Sequence, residues 1–160
     1  MKITVAELRE RASRVLVATE LLDVRLLSAA SQSVNPTLAG PFVVDSEVQT
    51  KSEAPDGTGF VYTLLRYKVR AVKESSDDAE AWSVDARFVA TYRMSTEEDF
   101  DDDDLTAFGL AIGLMTVHPY AREAIQSFVS RMGYPPFTLG LMAPLTGGED
   151  SELVEVNERD

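Results

Sequence analysis

Trp82-Ser83-Val84-Asp85-Ala86-Arg87-Phe88-Val89-Ala90-Thr91-Tyr92 puts an apolar side chain at every even position and polar ones at Ser83, Asp85, Arg87 and Thr91. Successive side chains of an extended chain point to opposite faces, so this alternation predicts a strand with one face in a core and the other in water. Upstream, Gly59 to about Val72 repeats the pattern, with Val61, Leu65, Tyr67 and Val69 opposite Arg66, Lys68 and Arg70. Phe42 to Thr50 does so again, with Phe42, Val44 and Val48 inward and Asp45, Glu47 and Gln49 outward. Leu21 to about Val34 is the first such strand, placing Leu22, Val24 and Leu26 against Asp23 and Arg25. Pro55-Asp56-Gly57 and Glu74 to Glu80 read as turns, while Asn35-Pro36 and Gly40-Pro41 bracket a crossover loop. Together they predict a four-stranded antiparallel sheet, a meander with a crossover loop, whose outward acids can pair across strands with outward bases.

Helical patterns flank the strands. Residues 4–17 open on Thr4 as N-cap with Glu7 three positions on, followed by Leu8, Ala12, Val15 and Leu16 at helical spacing. Leu105 to Val117 is apolar on nearly all sides and carries Gly109 and Gly113, so it needs burial to be stable. His118-Pro119 reads as the start of a second helix, striped by Ala121, Ala124, Ile125, Phe128, Val129 and Met132 and stopped at Gly133. Tyr134-Pro135-Pro136-Phe137 must be extended. The fold class is therefore α+β, a sheet with helices packed on one face plus a short N-terminal helix. Two helices cannot cover all of the apolar face, which predicts association of copies through the helices.

The 160 residues, 44% hydrophobic and 26% charged, suit one domain, read as 1–145 followed by an acidic flexible tail over 146–160. With no cysteine and His118 as the single histidine, thiolate sites, cysteine nucleophiles and multi-histidine metal sites are excluded within the chain, and no metal or cofactor is expected. No apolar stretch approaches the roughly 18–20 residues of a spanning helix, and Glu7, Arg9, Glu10 and Arg11 stand where a signal peptide needs its apolar segment. A cytoplasmic location without membrane insertion is expected. The net charge of −12 is carried by two segments, Glu97–Asp104 and Glu149–Asp160, the remainder being neutral. Such a chain repels phosphate backbones, so nucleic acid is not an expected partner. Asp101 to Asp104 lacks the alternating ligands, central glycine and distal glutamate of an EF-hand loop. Its place just before an apolar helix favours interaction with the positive end of the helix dipole.

Two segments of the last third are more specific. His118-Pro119-Tyr120-Ala121-Arg122-Glu123, followed by Arg131-Met132-Gly133-Tyr134-Pro135-Pro136-Phe137-Thr138-Leu139, resembles the end of the SecB family of export chaperones. That family shows a Phe-Pro-Tyr-Ala-Arg-Glu helix start and an Arg-Gly-Gly-Phe-Pro-Pro-Leu-Asn-Leu exit. Glu20-Leu21-Leu22-Asp23-Val24-Arg25-Leu26-Leu27 is similar to the family's first strand, and the order of elements fits from about residue 15 to 142.

The resemblance implies an ATP-independent holdase, a dimer of dimers that binds non-native precursor proteins and hands them to the SecA motor. By position it assigns Leu38, Phe42, Tyr62, Trp82, Leu110 and Leu114 to a client-binding groove, and Asp23 and Asp85 to the acids that face SecA. Each of the six apolar residues also reads as ordinary packing. Leu27 departs from the pattern where a second first-strand acid is expected, and the tail after Pro144 lacks the family's ending. A SecB-like chaperone dedicated to the antitoxin of a toxin–antitoxin system is the second reading, favoured by the leading helix and the missing acid. A small-ligand binder or hydrolase is a third, and it would need convergent polar groups among inward residues that are nearly all apolar. No catalytic residue is assigned; His118 reads as a helix cap or interface residue.

Overall fold

The computed structural model describes residues 2–141 and 154–155. Its elements are β1 (Lys2–Ile3), α1 (Val5–Val17), β2 (Thr19–Ser33), β3 (Phe42–Glu53), β4 (Phe60–Lys73), β5 (Ser76–Met94), α2 (Asp102–Phe108), a π-helical turn (Gly109–Gly113), α3 (Leu114–Arg131) and β6 (Val154–Glu155). The two short strands pair with each other through Lys2↔Glu155 and Ile3↔Val154, so this piece of the expected tail lies against the N-terminus. The rest of the 146–160 segment lies outside the described residues.

The main sheet is antiparallel in the order β2-β5-β4-β3. β3, β4 and β5 form the expected meander, but β2 pairs with β5 and not with β3, which lies across the sheet from it. The reason is local: the amides of Val34 and Asn35 both donate to the carbonyl of Ala81 at the start of β5, so the crossover segment runs past the end of the central strands before β3 begins.

Core burial follows the alternation. Val61, Leu65, Tyr67 and Val69 of β4 and Trp82, Val84, Ala86, Phe88, Ala90 and Tyr92 of β5 are all buried. β2 departs from the expected phase because bulges interrupt its register between Leu21 and Asp23 and between Leu26 and Ser28. Each bulge inserts a residue and resets which side chains share a face. Leu21, Val24 and Leu26 thereby stand opposite Tyr92, Ala90 and Phe88, and Leu22 falls at a bulge instead of in the apolar row.

The two expected C-terminal helices are one continuous helical rod from Asp102 to Arg131, and Pro119 lies inside α3 instead of opening a helix. Proline costs a helix the bond to the carbonyl four residues back. Here that carbonyl belongs to Met115, which like Pro119 is exposed, so water can take the place of the missing donor. The wider turn at Gly109–Gly113 lets the rod lie close on the sheet. A Cβ on Gly109 would fall 2.6 Å from Ser52 Oγ, and one on Gly113 would collide with the methyl group of Thr63.

α1 has the predicted capping box: the amide of Glu7 donates to Thr4 Oγ1, and the Glu7 carboxylate accepts from the Thr4 amide. Leu8 and Ala12 pack with Ile3 and Ala107, which joins α1 to α2. Arg11 and Arg14 add ion pairs to Asp104, at 3.1 and 2.8 Å, and Arg11 also reaches Asp101. Asp101 caps α2 by accepting from the Asp104 amide, and that bond, helped by Arg11, holds its carboxyl below the usual carboxylate range. Part of the acidic run Glu97–Asp104 is thus spent on a helix start, as its position predicted.

Candidate functional site

The helix-side face of the sheet is not covered evenly. α3 lies over β5, while α2 and the π-helical turn rest on β3 near Thr50 and Ser52. The edge strands carry the shortfall. On β2, Leu21 and Leu26 face the same side as the buried row of β5 yet remain 44% and 47% exposed. On β3, Val48 shares a face with buried Tyr67 and is still 38% exposed, and Ser46 beside it is exposed. Exposed apolar side chains that join into one patch rimmed by polar residues mark a contact surface.

One end of this face is closed by a strap. The segment after α3 crosses Trp82, whose ring centroid lies 5.7 Å from that of Phe137 and 6.5 Å from that of Tyr134. The Tyr134 hydroxyl donates to the Ala81 carbonyl at 2.8 Å and accepts from Ser33 at 2.7 Å. Further on, Arg122 Nε donates to the Leu139 carbonyl at 2.8 Å and His118 Nε2 donates to that of Gly140 at 2.7 Å. Nδ1 of His118 is left to accept from the Tyr67 hydroxyl at 3.3 Å. Burial pushes the Tyr67 phenol up, so it stays protonated and able to donate. The two sequence segments singled out above therefore serve one purpose: His118 and Arg122, four apart on one helical face, hold the carbonyls of the strap.

The six candidate groove residues fall into different places. Leu38 and Phe42 are half-buried at the crossover, packed against the same core cluster as Trp82. Trp82 itself is buried beneath the strap. Leu114 also packs on the main core, whereas Leu110 joins the smaller cluster around α1. Tyr62 pairs with Glu53 and Thr91 on the open face of the sheet, away from the helices. What brings Leu38 and Phe42 into a surface is their continuity with the exposed side of β3 at Val44 and Val48. Val48 and the edge leucines of β2 carried the alternation that could have found them; the helix positions that leave them bare are not a feature of the strands.

The open face is charged and largely self-neutralised. Glu20–Arg93, Asp45–Arg70 and Asp85–Arg66 are ion pairs across strands on it, as expected from the outward residues, and Asp23–Arg25 is a pair within β2. Arg66 Nε donates to Asp85 Oδ1 at 2.9 Å and its terminal nitrogen to Oδ2, a fork geometry. That bonding, with Arg87 and Lys68 nearby, holds the Asp85 carboxyl below the usual range. Both acids assigned to SecA are thus engaged by arginines of this chain. Among the described residues no group of three or more histidine, aspartate or glutamate side chains is placed to hold a metal ion, and no helix is long and apolar enough to cross a membrane.

No family model matches the chain. It is 28% identical over 153 residues to the SecB-like chaperone Rv1957 of Mycobacterium tuberculosis strain H37Rv, covering 86% of this chain and 84% of the relative. The SecB-like chaperone MT2006 of the CDC 1551 strain matches to the same extent. Among solved structures, the Mycobacterium tuberculosis Rv1957 SecB-like chaperone in complex with a ChAD peptide from the Rv1956 HigA1 antitoxin superposes with a TM-score of 0.78 at 22% identity, over 86% of this chain and 99% of that one. The resemblance to SecB, read from residues 118–123, 131–139 and 20–27, is borne out in sequence by the first comparison and in fold by the last.

Proposed function

We propose that the protein is an ATP-independent holdase whose client is the antitoxin of a toxin–antitoxin pair. The observation that carries this reading is the uncovered helix-side edge at β3, where Val44 and Val48 continue the crossover residues Leu38 and Phe42 and where β3 has a sheet neighbour on one side only among the described residues. Such an edge offers an extended chain both apolar contact and unpaired main-chain groups. A holdase acts by mass action on the unfolded state of its client and needs no catalytic group. The solved relative holds an antitoxin peptide, which supports the choice of client.

Export through SecA is the second reading. It is weakened by the arginine partners of Asp23 and Asp85, which leave little free negative charge at those positions. The exposed leucines of β2, together with Met115 and Tyr120 on α3, supply apolar surface for assembly with further copies, as a dimer of dimers would require. The holdase and its client are tested together by aggregation suppression with a denatured precursor and by titration with an antitoxin C-terminal peptide. Near-stoichiometric suppression without ATP, and tighter binding of the antitoxin peptide than of the precursor, are expected. Val48→Glu should weaken both without changing the melting temperature. Absence of suppression at excess protein would reject the holdase, and preference for secreted precursors would restore the export reading.

A further inference from the structure

We propose that the open face of the sheet is a docking surface for an acidic peptide segment of a partner protein, seated over Arg66, Arg87 and Lys51. The surface uses the face of the sheet opposite to Val44 and Val48 and is independent of the holdase reading, although Lys51 belongs to β3, the strand whose edge the client is proposed to line. A depression of about 380 Å³ is lined there by Leu27, Gln49, Lys51, Leu64, Arg66 and Arg87 among others, and no aspartate or glutamate lines it. This is a local property, because acids outnumber bases by 27 to 15 along the chain. The neighbouring depression on the same face is lined by Asp45, Glu47, Glu80 and Asp85 against only Lys68 and Arg70.

Arg66 and Arg87 stand directly opposite each other on the two central strands. Like charges in that position repel, and Asp85, the carboxylate that bonds the pair, is taken up by Arg66, with Glu47 also near Arg66. Arg87 and Lys51 have no ion-pair partner within 4 Å among the described residues and are both exposed. An arrangement that costs the free protein repulsion is relieved by an incoming carboxylate, which the planar forks of two arginines suit. Leu64 and Leu27 give the floor an apolar part, so acidic side chains interleaved with aliphatic ones complement the whole depression. A long polyanion is disfavoured by the −12 charge of the rest of the chain.

The test is fluorescence anisotropy of the intact protein with a labelled peptide of alternating glutamate and leucine at low ionic strength, and with its lysine counterpart. Binding of the glutamate peptide alone is expected, weakened about tenfold by either R87E or K51E, left unchanged by R9E on α1, and lost at high salt. Aggregation suppression should be the same in R87E and R9E, whose residues lie off β3, which separates this surface from the client edge. K51E alters an exposed residue near the end of an edge strand and keeps the test valid should R87E fold poorly. Equal affinity for the lysine peptide, no binding at low salt, or binding indifferent to both substitutions would overturn the proposal. So would displacement by inorganic phosphate at peptide-like concentrations, which indicates a small-anion site, or tighter binding of single-stranded nucleic acid.

Discussion

The two faces of the sheet are made from the same four strands by the same alternation, yet they solve opposite problems. On the helix side the central strands are sealed and the edges are bare; on the open side most charges are paired, with an excess of bases around Arg87 and Lys51 beside an excess of acids around Glu47 and Glu80. The difference teaches that exposure on the helix side is decided by where the helical rod lies, whereas on the open side it is decided by which residues oppose each other in register.

Adjacent residues of β5 give the sharpest way to break that contrast. Phe88, buried under the helices, should cost about 3–5 kcal/mol on truncation to alanine, against less than ~1 kcal/mol for half-buried Val89 facing the other way, as read by chemical denaturation. Equal losses would mean that the open face is covered in solution. Gly113→Ala should come next, at about 1–3 kcal/mol, because its methyl group meets Thr63 beneath the rod. Arg122→Ala removes one anchor of the strap, costs about 1 kcal/mol, and should speed proteolytic cleavage between residues 133 and 141. The smallest effect belongs to the open face. The Asp85 carboxyl is held low by Arg66, so its stabilisation is present above the ordinary aspartate value near pH ~3.9 and is lost as pH falls through the lowered value. Asp85→Asn should flatten that acid limb of the melting curve and change little at neutral pH, since the pair is about one-third exposed and screened.

Much of this was legible beforehand. Trp82 to Tyr92 specified its own buried face residue by residue, and Thr4 with Glu7 specified the start of α1. The bulges of β2 were not legible, because one extra residue in a strand leaves no mark in composition and shifts only the phase. Nor was the place of Pro119 within a helix, since its tolerance depends on the Met115 carbonyl reaching water. Among the proposed groove residues, Leu38 and Phe42 are half-buried at the crossover beside β3, while Trp82 lies under Tyr134 and Phe137 and Tyr62 on the far face.

By itself the sequence determined the strands, their two-sided character, the capped start of α1 and the pairing of outward acids with outward bases, all of which are set by neighbours a few positions away or directly across a ladder. Only the tertiary structure decided that β2 lies beside β5, that the strap closes over Trp82, and that the apolar edges of β2 and β3 stay uncovered. Those outcomes depend on contacts between residues far apart in the chain, and a side chain's periodicity states which way it points without stating what will lie on top of it.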